Sequence, residues 1–175
     1  NLREENKSFS SAGIQTHTES LKDSLAYFTD KLETHVVNPS SDENIDKNID
    51  ALESYDGLIW GGSSLNIYSD TKEIRRQIEF MKECQKQVKN ILAICWGMQV
   101  AVTAAGGEVK RGENGAHRGI AHDIIINKDG LSHPIYKGKK EIFNTPAFNY
   151  DEVVTLPEKS VLLSSNKVNR VMGLN

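Results

Sequence analysis

The sequence predicts an α/β chain, a mostly parallel sheet with helices on both faces. Three observations carry that expectation. Strand-like and helix-like segments alternate through the first two-thirds of the chain. Two short strands, in "DGLIWGGSS" and "NILAI", hold continuous apolar runs, as strands covered on both faces do. Each strand runs into a turn containing glycine at its carboxyl end, where sites in such sheets lie.

Taken in order, residues 1–17 are polar and predict a loop. "THTESLKDSLAYFTDKL" carries Leu21, Leu25, Phe28 and Leu32 at helical spacing, with Thr18 as the expected N-cap. "THVVNP" reads as a short strand ended by Pro39. "SSDENIDKNIDALESY" reads as a polar helix with Ile45, Ile49 and Leu52 on one face. The strand from Asp56 enters the glycine pair Gly61–Gly62. "SDTKEIRRQIEFMKECQKQ" is an amphipathic helix capped by Ser69 or Asp70, its inner stripe formed by Ile74, Ile78, Met81 and Cys84 or Gln85. That stripe places Cys84 in the core. "NILAI" is the next strand, and Trp96 to Ala105 the next helix. "GEVKRG" and "GIAHDIIIN" predict strands. "EIFNTPAFNYDEVVTLPEKSVLLSSN" predicts short strands punctuated by Pro146 and Pro157, and "VNRVMGL" begins another.

The bulk composition agrees with a single domain over residues 1–175. Hydrophobic residues make up 38% and charged residues 26%, the balance of an ordinary globular chain with a sizeable core. The net charge of −3 and the lack of a basic block argue against a nucleic-acid partner. No apolar run approaches the ~20 residues that span a bilayer, so no membrane partner is expected. Cys84 and Cys95 are the only cysteines. They make no disulfide framework, which favours a reducing, cytoplasmic setting. Neither has metal-type partner spacing, and no metal is expected.

The junction at Cys95 raises a question of chemistry. A cysteine between a strand and a helix is often one more small buried hydrophobe. It can also be a nucleophile held out on a tight turn. Ala93 and Gly97 stand two residues to either side, where such a turn wants small residues. The helix beginning at Trp96 would aim its positive end at the sulfur and favour thiolate, the reactive form. The Trp96 N–H is then placed to hold an oxyanion. A second donor could come from the Gly61–Gly62 turn, where backbone can approach a ligand closely.

"AICWGMQVAVTAAGG" resembles the nucleophile turn of class I glutamine amidotransferases, whose usual form is Gly-Ile-Cys-x-Gly-His-Gln followed by a helix and Gly-Gly. "YDGLIWGGSSLNIYSD" resembles the oxyanion strand of that family, and "FNYDEVVTLPEKSVLLSSN" its later His-x-Asp-x-Val-x-x-Leu-Pro segment. The three blocks run from Asp56 to Asn166 in the family's order. The nearest style is that of the glutaminase part of GMP synthase and of gamma-glutamyl peptidases. The resemblance implies a flavodoxin-like domain with a Cys-His-Glu triad. In that reading Cys95 attacks the side-chain amide of glutamine or another gamma-glutamyl amide, and a thioester forms and is hydrolysed. Gly62 and Trp96 supply the oxyanion hole. Gly61, Gln99 and Asn149 fall on substrate-binding positions, with Gln99 facing the glutamyl part. No cofactor is implied.

The chain also departs from the pattern. The family takes its triad histidine and glutamate from a His-Pro-Glu motif near the C-terminus. The histidines here are His17, His35, His117, His122 and His133, and no His-Pro-Glu occurs. "HTE" at His17–Glu19 reads as surface capping, and "SHP" at Ser132–Pro134 lies in a loop between strands. The family's first strand has no counterpart in residues 1–13. Both ends are therefore expected to lie outside the 175 residues. Met98 replaces the usual histidine before Gln99, Ser64 the usual proline and Asn149 the histidine of His-x-Asp. His117 stands where many relatives carry an acid.

Two functions follow. One is a hydrolase or amidotransferase on gamma-glutamyl amides, alone or beside a separate synthase subunit. No phosphate loop of the G-x-x-x-x-G-K-[ST] type is present to supply a synthetase activity. The other is a non-catalytic relative that binds a metabolite or a protein partner.

Overall fold

The computed structural model describes all residues except 1 and 42–44, and the side chains of all except 1–6 and 42–44. The first three helices are α1 (Leu2–Ser11), α2 (His17–Phe28) and α3 (Ile45–Asp50). Strand β1 (Leu58–Trp60), helix α4 (Lys72–Gln87), strand β2 (Ile91–Ala93) and helix α5 (Trp96–Ala104) follow. The rest is mostly sheet: β3 (Glu108–Arg111), β4 (His117–Ile126), the short helix α6 (Lys128–Ser132), β5 (Ile142–Asn149), β6 (Asp151–Thr155), β7 (Leu162–Ser165) and β8 (Gly173–Leu174). The chain divides into two compact units, one of residues 1–65 and 72–98, the other of 66–71 and 99–175. No described helix is long and apolar enough to cross a membrane.

In the first unit, the predicted N-terminal loop is instead helix α1. Its sequence, "LREENKSFSS", lacks apolar periodicity but opens with straight-chain residues that favour helix. The helix closes with paired bonds from Gly13 N–H to Ser10 O (3.1 Å) and Ile14 N–H to Phe9 O (2.9 Å), the double return of a Schellman end. Helix α2 forms as predicted, but Thr16 rather than Thr18 is its N-cap. The Thr16 hydroxyl accepts from Glu19 N–H, and the Glu19 carboxylate accepts from Thr16 N–H at 2.7 Å. The predicted strand "THVVNP" has no regular structure, because no described strand pairs with it. Of the predicted polar helix, residues 42–44 lie outside the described residues; the remainder forms α3 and a 3-10 turn at Leu52–Ser54.

Strands β1 and β2 are adjacent and parallel, with Leu58 beside Ile91, Ile59 beside Leu92 and Trp60 beside Ala93. They form a two-stranded sheet, and among the described residues no further strand extends it. Leu92 and Ile94 are exposed, so the fully covered strand expected from "NILAI" is covered on one side only. Helix α4 buries Ile74, Gln77, Phe80, Met81 and Cys84. Ile74 and Met81 are inner as expected, and of Cys84 and Gln85 it is Cys84 that is buried; Gln77 and Phe80 join the stripe, while Ile78 is only half-buried beside it. Ser69 and Asp70 do not begin α4; Ser69 ends a 3-10 turn, and Asp70 caps it in left-handed backbone, φ 46°.

The second unit holds antiparallel strands only. β3 pairs with β6, and β5, β4, β7 and β8 form a four-stranded sheet in that order. The mostly parallel sheet predicted for the whole chain is therefore seen at β1–β2 alone. Pro146 does not break a strand. It lies within β5 opposite Ile120, and β5 is an edge strand, where a missing N–H is tolerated. Pro157 does follow the end of β6. Ile124, Ile126, Val109, Val153 and Leu163 form the unit's apolar interior.

Candidate active site

The parallel pairing of β1 and β2 brings two turns side by side. Ile94 N–H donates to Trp60 O at 2.8 Å, one step beyond the last strand pair. Cys95 then adopts left-handed backbone, φ 55°. For a residue with a Cβ this costs roughly 1–2 kcal/mol, and such strain gathers at functional turns. Helix α5 starts at the next residue. Gly97 N–H donates to both Gly61 O (3.1 Å) and Ile94 O (3.0 Å), tying the helix start to the glycine turn. Gly97 must be glycine, because a Cβ there would collide with the Trp60 carbonyl.

Gly62 lies against the sulfur. A Cβ on Gly62 would stand 3.8 Å from both Cβ and Sγ of Cys95. The Cys95 side chain is exposed. Trp96, by contrast, is 1% exposed, and its indole N–H donates to Gln77 Oε1 at 2.9 Å. The arrangement presents a thiol on a strained turn, the Trp96 N–H at a helix start, where it has no intrahelical acceptor, and a side-chain-free glycine beside the sulfur. That geometry suits attack on a carbonyl whose oxygen needs donors. Cys84 is its opposite: 0% exposed on α4, with burial pushing its thiol up to about 12.

Of the sequence-predicted residues, Gly61, Gly62, Cys95 and Trp96 stand together in the first unit. Gln99 lies on α5 and belongs to the second unit. It is 8% exposed, and its Oε1 is buried with no hydrogen-bond partner among the described residues.

Asn149 stands opposite His117 in the β4–β5 pair. His117 is 4% exposed, and both ring nitrogens are engaged. Asn166 Nδ2 donates to Nε2 at 2.9 Å, which leaves the proton on Nδ1 to be donated to Asn149 Oδ1 at 2.9 Å. Asn149 Nδ2 donates in turn to the Asp151 carbonyl (3.1 Å), which also accepts from Asn169 (3.3 Å). Asn166, Asn169 and Gln77 were not singled out by sequence. They are single polar residues far along the chain from their partners, and no local spacing announces such pairs.

Three other histidines have contacts of their own. The His17 ring meets Phe9 edge-on, His35 stacks on Tyr55, and His133 Nδ1 accepts from Ile135 N–H. The capping role expected for "HTE" falls to Glu19. Among the described residues no group of three or more His, Cys, Asp or Glu side chains is placed to hold a metal ion.

The chain belongs to the class I glutamine amidotransferases, whose family model matches residues 14–175. It is 33% identical to a gamma-glutamyl-L-1-hydroxyisopropylamide hydrolase of Pseudomonas sp over 119 residues, 66% of this chain and 40% of that protein. It is 32% identical to gamma-glutamyl peptidase 3 of Arabidopsis thaliana over 123 residues, 69% of this chain and 49% of the relative. The chain thus spans less than half the length of these relatives. Among solved structures, that of a GMP synthase subunit protein from Thermoplasma acidophilum superposes with a TM-score of 0.63 at 22% identity, covering 75% of this chain and 62% of that one. That likeness supports an α/β fold.

Proposed function

We propose that the chain carries the nucleophile of a hydrolase or amidotransferase acting on gamma-glutamyl amides. Cys95 Sγ attacks the γ-carbonyl carbon. The resulting oxyanion is held by the N–H groups of Gly62 and Trp96. The C–N bond breaks, ammonia or an amine leaves with a proton, and a γ-glutamyl thioester remains. Water then cleaves the thioester, releasing glutamate and restoring the thiol. By resemblance, Gly61 and Gln99 are assigned to the glutamyl part. Asn149 is assigned to the substrate end by resemblance alone.

The observation that carries the reading is the turn itself: an exposed cysteine at φ 55° before a helix, with Gly62 against its sulfur. The two curated relatives add the substrate class, since both are named for cleavage of gamma-glutamyl compounds. The resemblance to the glutaminase part of GMP synthase supports the alternative fate, ammonia passed to a separate synthase subunit. The β1–β2 pair is then part of a mostly parallel, flavodoxin-like sheet, and a reducing cytoplasmic setting keeps the thiol available.

The reaction needs a base that takes the thiol proton and returns it to the leaving amine. By resemblance that base belongs to a His-Pro-Glu segment, which these 175 residues do not contain. Such acid–base help is worth about 10²–10⁴-fold. Glutamate release from glutamine and from a γ-glutamyl dipeptide tests the reading. The 175-residue chain is expected to be slower by that factor than a form carrying the segment, and Cys95→Ala in the longer form is expected to stop turnover with the fold retained. An inactive longer form would favour the non-catalytic binding role.

A further inference from the structure

One turn of helix α4 grips the residues that precede and follow the reactive turns. Phe80 packs on Trp60, ring centroids 6.1 Å apart, just before the Gly61–Gly62 turn. Three residues earlier, Gln77 accepts the indole N–H of Trp96, the residue whose backbone N–H stands next to Cys95. The Gln77–Trp96 bond is buried: Gln77 is 6% exposed and Trp96 1%. The amide can face only one way. An indole N–H is a donor and never an acceptor, so Oε1 must turn to it, and Nε2 then donates to the Glu73 carbonyl at 3.3 Å. A buried polar pair on an otherwise apolar helix stripe costs desolvation that an apolar pair would avoid. The bond holds the rotation of the Trp96 ring.

We propose that Gln77 is a positioning residue for the oxyanion hole: by holding the Trp96 indole N–H, it sets the direction of the Trp96 backbone N–H beside Cys95. This inference rests on the reading of Cys95 as a nucleophile toward gamma-glutamyl carbonyls. Replacing Gln77 by leucine keeps the volume close but leaves the indole N–H unpaired. Replacement by glutamate keeps an acceptor oxygen.

Two electrophiles separate positioning from plain packing. A glutamine-shaped chloromethyl ketone reacts through its carbonyl: Sγ adds to the carbonyl carbon and the oxygen becomes an oxyanion; the sulfur then bonds the CH₂ carbon as chloride leaves, the Sγ–carbonyl bond breaks and the C=O re-forms, leaving a thioether. Iodoacetamide is displaced directly at carbon, with iodide leaving and no oxyanion formed. The readout is the ratio of the two second-order rates at Cys95, measured by peptide mass spectrometry.

Removing an oxyanion donor outright costs ~10²–10³-fold, so Gln77→Leu, which misdirects one, is expected to lower the ratio about 10-fold. Iodoacetamide labelling should stay near wild type, and Gln77→Glu should recover the ratio. If Gln77→Leu fails to fold, Trp96→Phe removes the same bond from the other side and is expected to lower the ratio alike. A ratio unchanged in the folded variant overturns the inference. So does a fall shared equally by both reagents, or a Gln77→Glu variant as impaired as Gln77→Leu. Separately, a wild-type protein that prefers the ketone no more than a small thiol does would overturn the nucleophile reading itself.

Discussion

The two cysteines of this chain are separated by environment. Cys95 sits in left-handed backbone on an exposed turn, while Cys84 faces the interior of α4. Burial raises the Cys84 thiol from about 9 to about 12. The folded protein therefore keeps a proton that the unfolded chain has lost over that interval. The sign follows: the contribution is complete below about pH 9 and is lost as pH rises toward about 12. The slope approaches about 1.4 kcal/mol per pH unit. Urea melts at neutral and alkaline pH are expected to show this loss in the wild type and a shallower one in Cys84→Ala. Equal slopes would place Cys84 in contact with water. Iodoacetamide is expected to label Cys95 in the native protein and Cys84 only after unfolding.

At the scale of elements, the polar chain around His117 joins β4, β5 and the turn after β7 through bonds near 2.9 Å. Both ends of the Asn149 amide are committed, to His117 and to the Asp151 carbonyl. Asn149→Ala would leave the buried His117 N–H without its acceptor, an expected loss of about 1–3 kcal/mol. Thermal or urea unfolding checks this. An unchanged midpoint with a raised KM would instead place Asn149 against substrate, as the family resemblance has it.

What the sequence made legible at this scale followed from strong patterns. The long stripe of α4 buries a face, and burial leaves a period in the sequence; the runs at Leu58–Trp60 and Ile91–Ala93, half-buried apart from the exposed Leu92, showed instead as unbroken apolar stretches. Helix α1 left no such trace, because its residues before Phe9 are largely polar and its stop depends on the bonds at Gly13 and Ile14. Pro146 misled because a proline reads as a break unless the strand is known to be an edge. The turn at Cys95 was legible because its need for small residues is local. The Gln77–Trp96 and His117–Asn166 pairs were not, since their partners meet only in the folded chain.

At the scale of the whole molecule, the first unit pairs two parallel strands and carries the cysteine turn, and the second is an antiparallel assembly. Family membership covers both, from residue 14 to residue 175. More narrowly than family membership, we propose that Cys95 takes up the glutamyl group. The direct measurement is to mix the protein with a γ-glutamyl amide, quench in acid within the turnover time, digest, and locate any glutamyl adduct by mass spectrometry. The expected adduct lies on the Cys95 peptide, is lost in Cys95→Ala and is removed by hydroxylamine as a thioester is. An adduct on Cys84 or another residue, or glutamate released at the wild-type rate by Cys95→Ala, would contradict it.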